Sequence, residues 1–385
     1  NIPESAFVTL VNNGDFILGE NKDLVVTNFV SQLPNANLQW ETVEDINIGI
    51  EGSILSNAIT FNIERYQRTS KDLLFRTSLP LFTGAPSLIW QNVGSFESSG
   101  WDIALGYNKQ IRNITLSANA TITTNESKVA ELAPGNDQLF GQLRAEFGNA
   151  PLKITELGQT VGLFYGYQTA GIFRNQTEIN SHSTNDGTLI QPNAQPGDLI
   201  FVDQNDDGKI DEEDFTTIGN PFPDFVAGLN LNLGYKQWDL NMQWYGSFGN
   251  DVYNYTKTFL TSGQSNRNVQ EGLINEVWSE TNPDATIPRL TTNDVNRNFG
   301  RSSDYFVEDG TFVRLKNVQL GYTFNVPFAS QLRLYISGQN LLTFTEYTGF
   351  DPEVSANGGL INGLGIDFGR YPLTRTYLVG LNMTF

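Results

Sequence analysis

Thr374-Arg375-Thr376-Tyr377-Leu378-Val379-Gly380-Leu381-Asn382-Met383-Thr384-Phe385 is the stretch that decides the fold. Tyr377, Val379, Leu381, Met383 and Phe385 recur at every second residue, and Thr376, Leu378, Gly380, Asn382 and Thr384 fall between them. A period of two is that of a strand, because successive side chains leave a strand on opposite faces. One face is continuously apolar and the other mostly small and polar. A soluble sheet can carry the same alternation, so one strand does not decide the setting; its repetition does.

Working outward, the same pattern returns along the chain. Ile46, Ile48 and Ile50 oppose Asp45, Asn47 and Gly49 within 40–51, and Ile59, Phe61 and Ile63 oppose Thr60, Asn62 and Glu64 within 57–75. Trp101, Ile103, Leu105 and Tyr107 alternate with polar or small residues over 95–108; Ile114, Leu116, Ala118, Ala120 and Ile122 do so over 113–127. Sharp strands follow at 224–235, 238–249, 311–325 and 331–344 before the closing one. Residues 1–37 read as a mixed polar loop with short apolar runs, and 79–86 as part of a longer loop. The region 128–223 reads as one very long loop with local structure. The nine strands are joined by connections that alternate strictly between short and long. A transmembrane antiparallel β-barrel shows this arrangement: apolar residues toward lipid, polar ones toward the lumen, short periplasmic turns and long extracellular loops.

Composition permits this reading and excludes others. Of 385 residues, 39% are hydrophobic and 12% aromatic, with 26 Phe, 14 Tyr and 6 Trp to furnish interfacial girdles. Mean hydropathy is -0.29, and no run of apolar residues is long enough for a spanning helix. A net charge of -19 argues against a nucleic-acid partner, whose phosphates require a basic surface. Cysteine is absent, which removes disulfides and thiolate metal sites. The start, Asn1-Ile2-Pro3, lacks the basic and apolar regions of an export signal, so either such a signal has been removed or, the reading preferred here, further sequence lies upstream. Nine strands in an open sheet would leave unpaired edges in hydrocarbon, and this too calls for additional strands.

The sharpest chemical motif is Asp203-Gln204-Asn205-Asp206-Asp207-Gly208-Lys209-Ile210-Asp211-Glu212-Glu213-Asp214. Oxygen-bearing side chains stand at positions 1, 3, 5, 9 and 12 (Asp203, Asn205, Asp207, Asp211 and Asp214). Lys209 supplies a backbone carbonyl at position 7, Gly208 the sharp turn and Ile210 an apolar anchor. That is the grammar of an EF-hand loop, built for a hard cation that takes six to eight oxygens. Asp214 replaces the usual Glu at position 12, which leaves structural Ca2+ and Mg2+ both open. An ion-free acidic turn is the alternative.

No catalytic set is expected. His182 is the only histidine and reads as a surface-loop residue; no Gly-x-Ser-x-Gly elbow accompanies it. Asp351 and Glu353 read as turn formers or contacts for a partner rather than as a carboxylate pair for hydrolysis. Trp238 and Trp244 share the lipid-facing phase, and Trp90 is a candidate cargo contact.

Around the acidic loop the sequence becomes distinctive: Gly197-Asp198-Leu199-Ile200-Phe201-Val202-Asp203 before it, and Ile218-Gly219-Asn220-Pro221-Phe222-Pro223-Asp224-Phe225 with Gly228-Leu229-Asn230 after it. With Phe312-Val313-Arg314-Leu315-Lys316-Asn317-Val318, Gly338-Gln339-Asn340-Leu341 and Gly349-Phe350-Asp351-Pro352-Glu353, this resembles the SusC/RagA family of TonB-dependent outer-membrane transporters. The likeness covers nearly the whole chain from about residue 33. It implies that residues 1–385 form the C-terminal portion of a 22-stranded, plugged barrel, with plug and early strands outside this chain. It further implies a SusD-like surface lipoprotein as lid, energy delivered by TonB, and oligosaccharide or peptide cargo. A non-transporting barrel that serves as a structural subunit of a larger membrane complex is the alternative function.

Overall fold

Nine strands hydrogen-bond into one antiparallel sheet, each beside its neighbour in sequence. They are β1 (Thr42–Ile54), β2 (Ile59–Lys71), β3 (Ser95–Ile111), β4 (Ile114–Thr124), β5 (Phe225–Tyr235), β6 (Trp238–Phe248), β7 (Phe312–Val326), β8 (Ala329–Thr345) and β9 (Thr376–Thr384). A short tenth strand, Glu126–Glu131, pairs with the start of β3. The computed structural model describes residues 10–18, 23–32, 35–78, 88–92, 94–132, 137–263, 268–354 and 363–385. The loop read at 79–86 lies outside the described residues. β1 and β9 are the two outer strands, so the sheet is open within this chain and forms part of a barrel.

Register turns the alternation of single strands into two chemically distinct walls. Leu116, Leu233, Leu240, Leu320, Ile336 and Val379 stand opposite one another across β4 to β9. One residue along, Ser117, Asn232, Asn241, Gln319 and Ser337 form the matching row on the other face. Ile336 is 57% and Val379 84% exposed on the apolar wall. Water would make such a surface an aggregation hazard, whereas hydrocarbon is its natural solvent. Aromatic pairs bound the wall at two heights: Phe225 stacks on Phe248 at 4.6 Å, and Trp238 meets Tyr322 edge-on at 4.8 Å. Phe225 and Tyr235, the neighbour of Trp238, are the ends of β5. Ten residues of strand rise roughly 33 Å, or about 25 Å once tilted by about 40°, which is the height of an outer-membrane apolar band. Among the described residues no helix is long and apolar enough to cross a membrane.

Tight turns close one end of the sheet, after Ile54, Ile111, Tyr235 and Val326. All long connections leave from the other. On the polar wall the ring of Tyr335 lies over Gly380 of β9, where a Cβ would run into it; glycine is what lets the ring lie flat there. The opening segment, expected as a loop, holds a hairpin of Leu10–Leu18 and Asp23–Gln32. Polar Asn12-Asn13-Gly14 interrupts its apolar period, so backbone pairing rather than patterning defines it.

Candidate functional site

The long connections fold together into a cap over one end of the sheet. Phe147, Leu152 and Phe164 from the second connection pack with Tyr253, Tyr255, Phe299 and Phe306 from the third and Ile366 from the fourth. Phe164 and Tyr253 meet edge to face at 5.7 Å, and Tyr253 stacks on Phe306 at 5.8 Å. Ring pairs of this kind add about 0.5–1.5 kcal/mol each beyond their area. The region 128–223 therefore carries real local structure: strands Gln138–Arg144, Ala150–Glu156, Leu163–Gly166 and Thr216–Gly219 make a four-stranded sheet of their own.

A fully buried carboxylate ties the cap together. Asp198 accepts from Arg289 Nε at 2.7 Å, from Asn298 Nδ2 at 2.9 Å and from the backbone N–H of Gln195 at 2.8 Å. Asn298 also accepts from the N–H of Leu199, so the second and third connections share one polar knot. Lys153, buried beside Phe164, donates to the Gly162 carbonyl at 3.0 Å, and burial pulls its ammonium down to about 7.

The acidic loop hangs from this core. The Asp203 carboxylate accepts backbone N–H groups from Asp207 and Gly208, Asn205 Oδ1 accepts from Asp207, and Asp207 Oδ1 accepts from Lys209. Gly208 turns the chain with φ at 87°, a left-handed value that glycine adopts freely. Asp214 is fully buried, and its two oxygens take the N–H groups of Gln204 and Asp211 at 2.8 Å each. Asp211 caps the short 3-10 helix Glu212–Asp214 through a capping box. The Lys209 ammonium bridges Asp211 at 2.7 Å and Asp207 at 2.9 Å, and these carboxylates hold it above the ordinary lysine range. Its side chain is 63% exposed, so it can swing away. The donor set is all oxygen, as a hard cation demands. Among the described residues, no three acidic or histidine side chains converge into a metal cage.

Where the cap meets the polar wall, a cavity of about 400 Å3 opens, lined by Tyr245, Asn250, Phe312, Asp351, Glu353 and Tyr371 among others. Its base is a partly buried ion network: Arg314 reaches Asp351 at 2.6 Å and Glu353 at 2.8 Å, and Lys316 reaches Glu353 at 2.5 Å. Asp351 and Glu353 thus anchor the fourth connection to the barrel wall. Strict alternation from Val318 would have put Arg314 and Lys316 on the lipid side. A register shift between Leu315 and Asn317, opposite Asn340 with φ at 53°, re-aims them inward. That bulge is why patterning alone misses Arg314.

His182 ends the helix Gln176–Ser181 and packs edge-on against Phe173 at 5.6 Å, half-buried rather than freely exposed; burial lowers its pKa. Trp90 lies in the strand Leu88–Asn92, where its carbonyl accepts from Asn35. Trp238 is 49% exposed on the apolar wall, as its phase requires.

An apolar outer wall, a polar inner wall, tight turns below and a folded cap above define an outer-membrane β-barrel. No family model matches the chain. It is 33% identical over 373 residues to TonB-dependent receptor P3 of Formosa agariphila, covering 94% of this chain and 35% of that protein. It is 28% identical over 362 residues to TonB-dependent receptor SusC of Bacteroides thetaiotaomicron, covering 91% of this chain and 32% of that one. The structure of the RagAB peptide transporter superposes over 99% of this chain and 39% of that chain, with a TM-score of 0.75 at 22% identity. The chain belongs to the SusC/RagA-like TonB-dependent receptors, and it spans about a third of the length of the curated relatives it matches.

Proposed function

We propose that this chain is barrel wall and extracellular cap of a receptor that imports large polar nutrients across the outer membrane. The observation that carries the reading is the polar wall running down from the cavity under the cap, rich in Asn, Ser, Thr and Gln. Such a lining offers neutral hydrogen-bond partners to oligosaccharides or peptides. The names of the relatives, receptors dependent on TonB, support energised import, with the plug and TonB-contacting segment assigned to parts of the receptor that this chain does not span. The cap, with Tyr371 82% exposed beside the cavity, is the surface assigned to a SusD-like lipoprotein lid.

The acidic loop is proposed to bind one structural Ca2+ or Mg2+ through Asp203, Asn205, Asp207, the Lys209 carbonyl, Asp211 and Asp214. Lys209 would swing out as the ion enters, and the ion would stiffen the cap without any part in chemistry.

The test uses the full-length receptor in its native host. A photo-crosslinking residue at position 371 should capture a surface lipoprotein, and uptake of labelled oligosaccharide and peptide mixtures should cease on deletion of the receptor or of TonB. Uptake unaffected by either deletion would sink the importer reading and leave a structural barrel.

A further inference from the structure

The apolar phase of β2 carries a cation. Arg65 shares the phase of Ile59, Phe61 and Ile63 on β2, and it stands opposite Ile48 on β1 and Trp101 on β3. Its row reaches the last residue of β4, Thr124, whose hydroxyl accepts the Trp101 N–H and which pairs with Phe225 at the aromatic boundary. Nη1 donates to the Gly100 carbonyl at 2.9 Å and Nη2 to Ser99 Oγ at 3.1 Å, while the guanidinium sits 5.6 Å from the centre of the Trp101 ring. These bonds, with a longer one to the Tyr66 carbonyl at 3.3 Å, employ three of five donors. The remaining two have no protein partner among the described residues.

Beside this side chain is a cavity of about 380 Å3 between the outer wall and the underside of the cap. Trp101 and Thr124 belong to the wall, Thr160 and Phe222 to the cap, and Glu126 and Asp224 add carboxylates to the rim. Trp101 is 46% exposed, at the height where aromatic side chains mark the boundary between hydrocarbon and headgroups. Glu126 is bridged to Lys128 at 2.8 Å, so the rim holds charges of both signs within reach of one another. A fixed, stacked guanidinium with donors to spare is a phosphate-recognising group. The carboxylates opposite would repel a purely anionic head and attract an ammonium.

We propose that this rim cavity binds the headgroup of a phosphoethanolamine-bearing membrane lipid, with the phosphate on Arg65 and the ammonium toward Glu126 and Asp224. The acyl chains would then run down the apolar wall past Ile63 and Ile103. The site depends on the barrel lying in a membrane and not on import, so either idea can fail alone.

The experiment uses full-length receptor in nanodiscs, followed by native mass spectrometry after release into detergent. The probes are phosphatidylethanolamine, phosphatidylglycerol and soluble O-phosphoethanolamine. Wild-type receptor should retain phosphatidylethanolamine about tenfold better than phosphatidylglycerol, a margin typical of one charged hydrogen-bonded contact. Arg65→Gln should lose retention and Arg65→Lys should recover part of it, with heat-dependent gel mobility confirming a folded barrel. Glu126→Gln, at an exposed position, should keep binding but lose the preference between the two lipids. Equal retention of both lipids by the wild type, undiminished retention by a folded Arg65→Gln, or an unchanged preference in Glu126→Gln overturns the proposal. Equal binding of soluble O-phosphoethanolamine overturns the assignment to a lipid.

Discussion

Arg314 of β7 and Asp351 of the fourth connection form a buried ion pair 2.6 Å apart, with side chains only 3% and 8% exposed. Asp351 also accepts the backbone N–H groups of Glu353 and Leu373, so one carboxylate ties a turn, a strand and the approach to β9. The cap is fastened to the barrel at this point.

Arg314→Met should therefore release the fourth connection. Removing one partner of a buried pair costs about 3–5 kcal/mol, because the other charge stays buried without compensation. Limited proteolysis of detergent-solubilised receptor should show new cleavage between residues 345 and 375. If the variant cleaves like the wild type, the pair does not hold the cap.

Lys153 makes the cap sensitive to pH. Its pKa falls from the ordinary 10.5 to about 7 through burial. Between those values the unfolded segment binds a proton that the folded one does not, so stability rises with pH across the window from about 7 to above 10. Below about 7 the full penalty of a buried charge is present, on the order of a few kcal/mol. Lys153→Met should flatten the pH dependence of protease resistance over residues 137–166 and raise resistance at pH 6. A wild-type profile that is flat from pH 6 to 10 would remove Lys153 from this role.

Chelation tests the acidic loop. A cation at a hundred times its dissociation constant stabilises the folded loop by about 2.7 kcal/mol. EDTA should consequently speed cleavage within residues 198–220, and Ca2+ or Mg2+ should reverse the effect in the wild type but not in Asp203→Asn. Cleavage that ignores both chelator and metal would mean that the Lys209 ammonium is the only cation the loop holds.

The barrel was legible because each membrane strand carries its own signal. The period of two around Ile336 or Leu231 places a side chain without reference to any distant residue, and all nine sheet strands fall within a few residues of their expected bounds. The cap was not legible in the same way. Phe147, Tyr253, Phe306 and Ile366 come from three connections and meet only in space, with no local period to announce them. The partners of Asp198, Arg289 and Asn298, lie about a hundred residues away in sequence. Arg314 was hidden for another reason: a bulge reverses its facing, and alternation assigns it to the wrong wall. Arg65 was hidden by the opposite circumstance, since it keeps the apolar phase and breaks the expected chemistry instead.

Adjacent residues on β5 offer the most direct test of which wall meets lipid. Leu229 pairs with Ala120 and Trp244, Asn230 with Asn119 and Gln243, and both stand midway between the aromatic pairs that bound the apolar wall. Arginine at lipid-facing mid-membrane positions costs about 2–4 kcal/mol, whereas a lumen position tolerates it. Assembly of Leu229→Arg and Asn230→Arg in the outer membrane, scored by heat-dependent gel mobility, should fail or drop severely for the first and match wild type for the second. Equal assembly of the two variants, or failure of Asn230→Arg alone, would contradict the barrel's orientation of its walls.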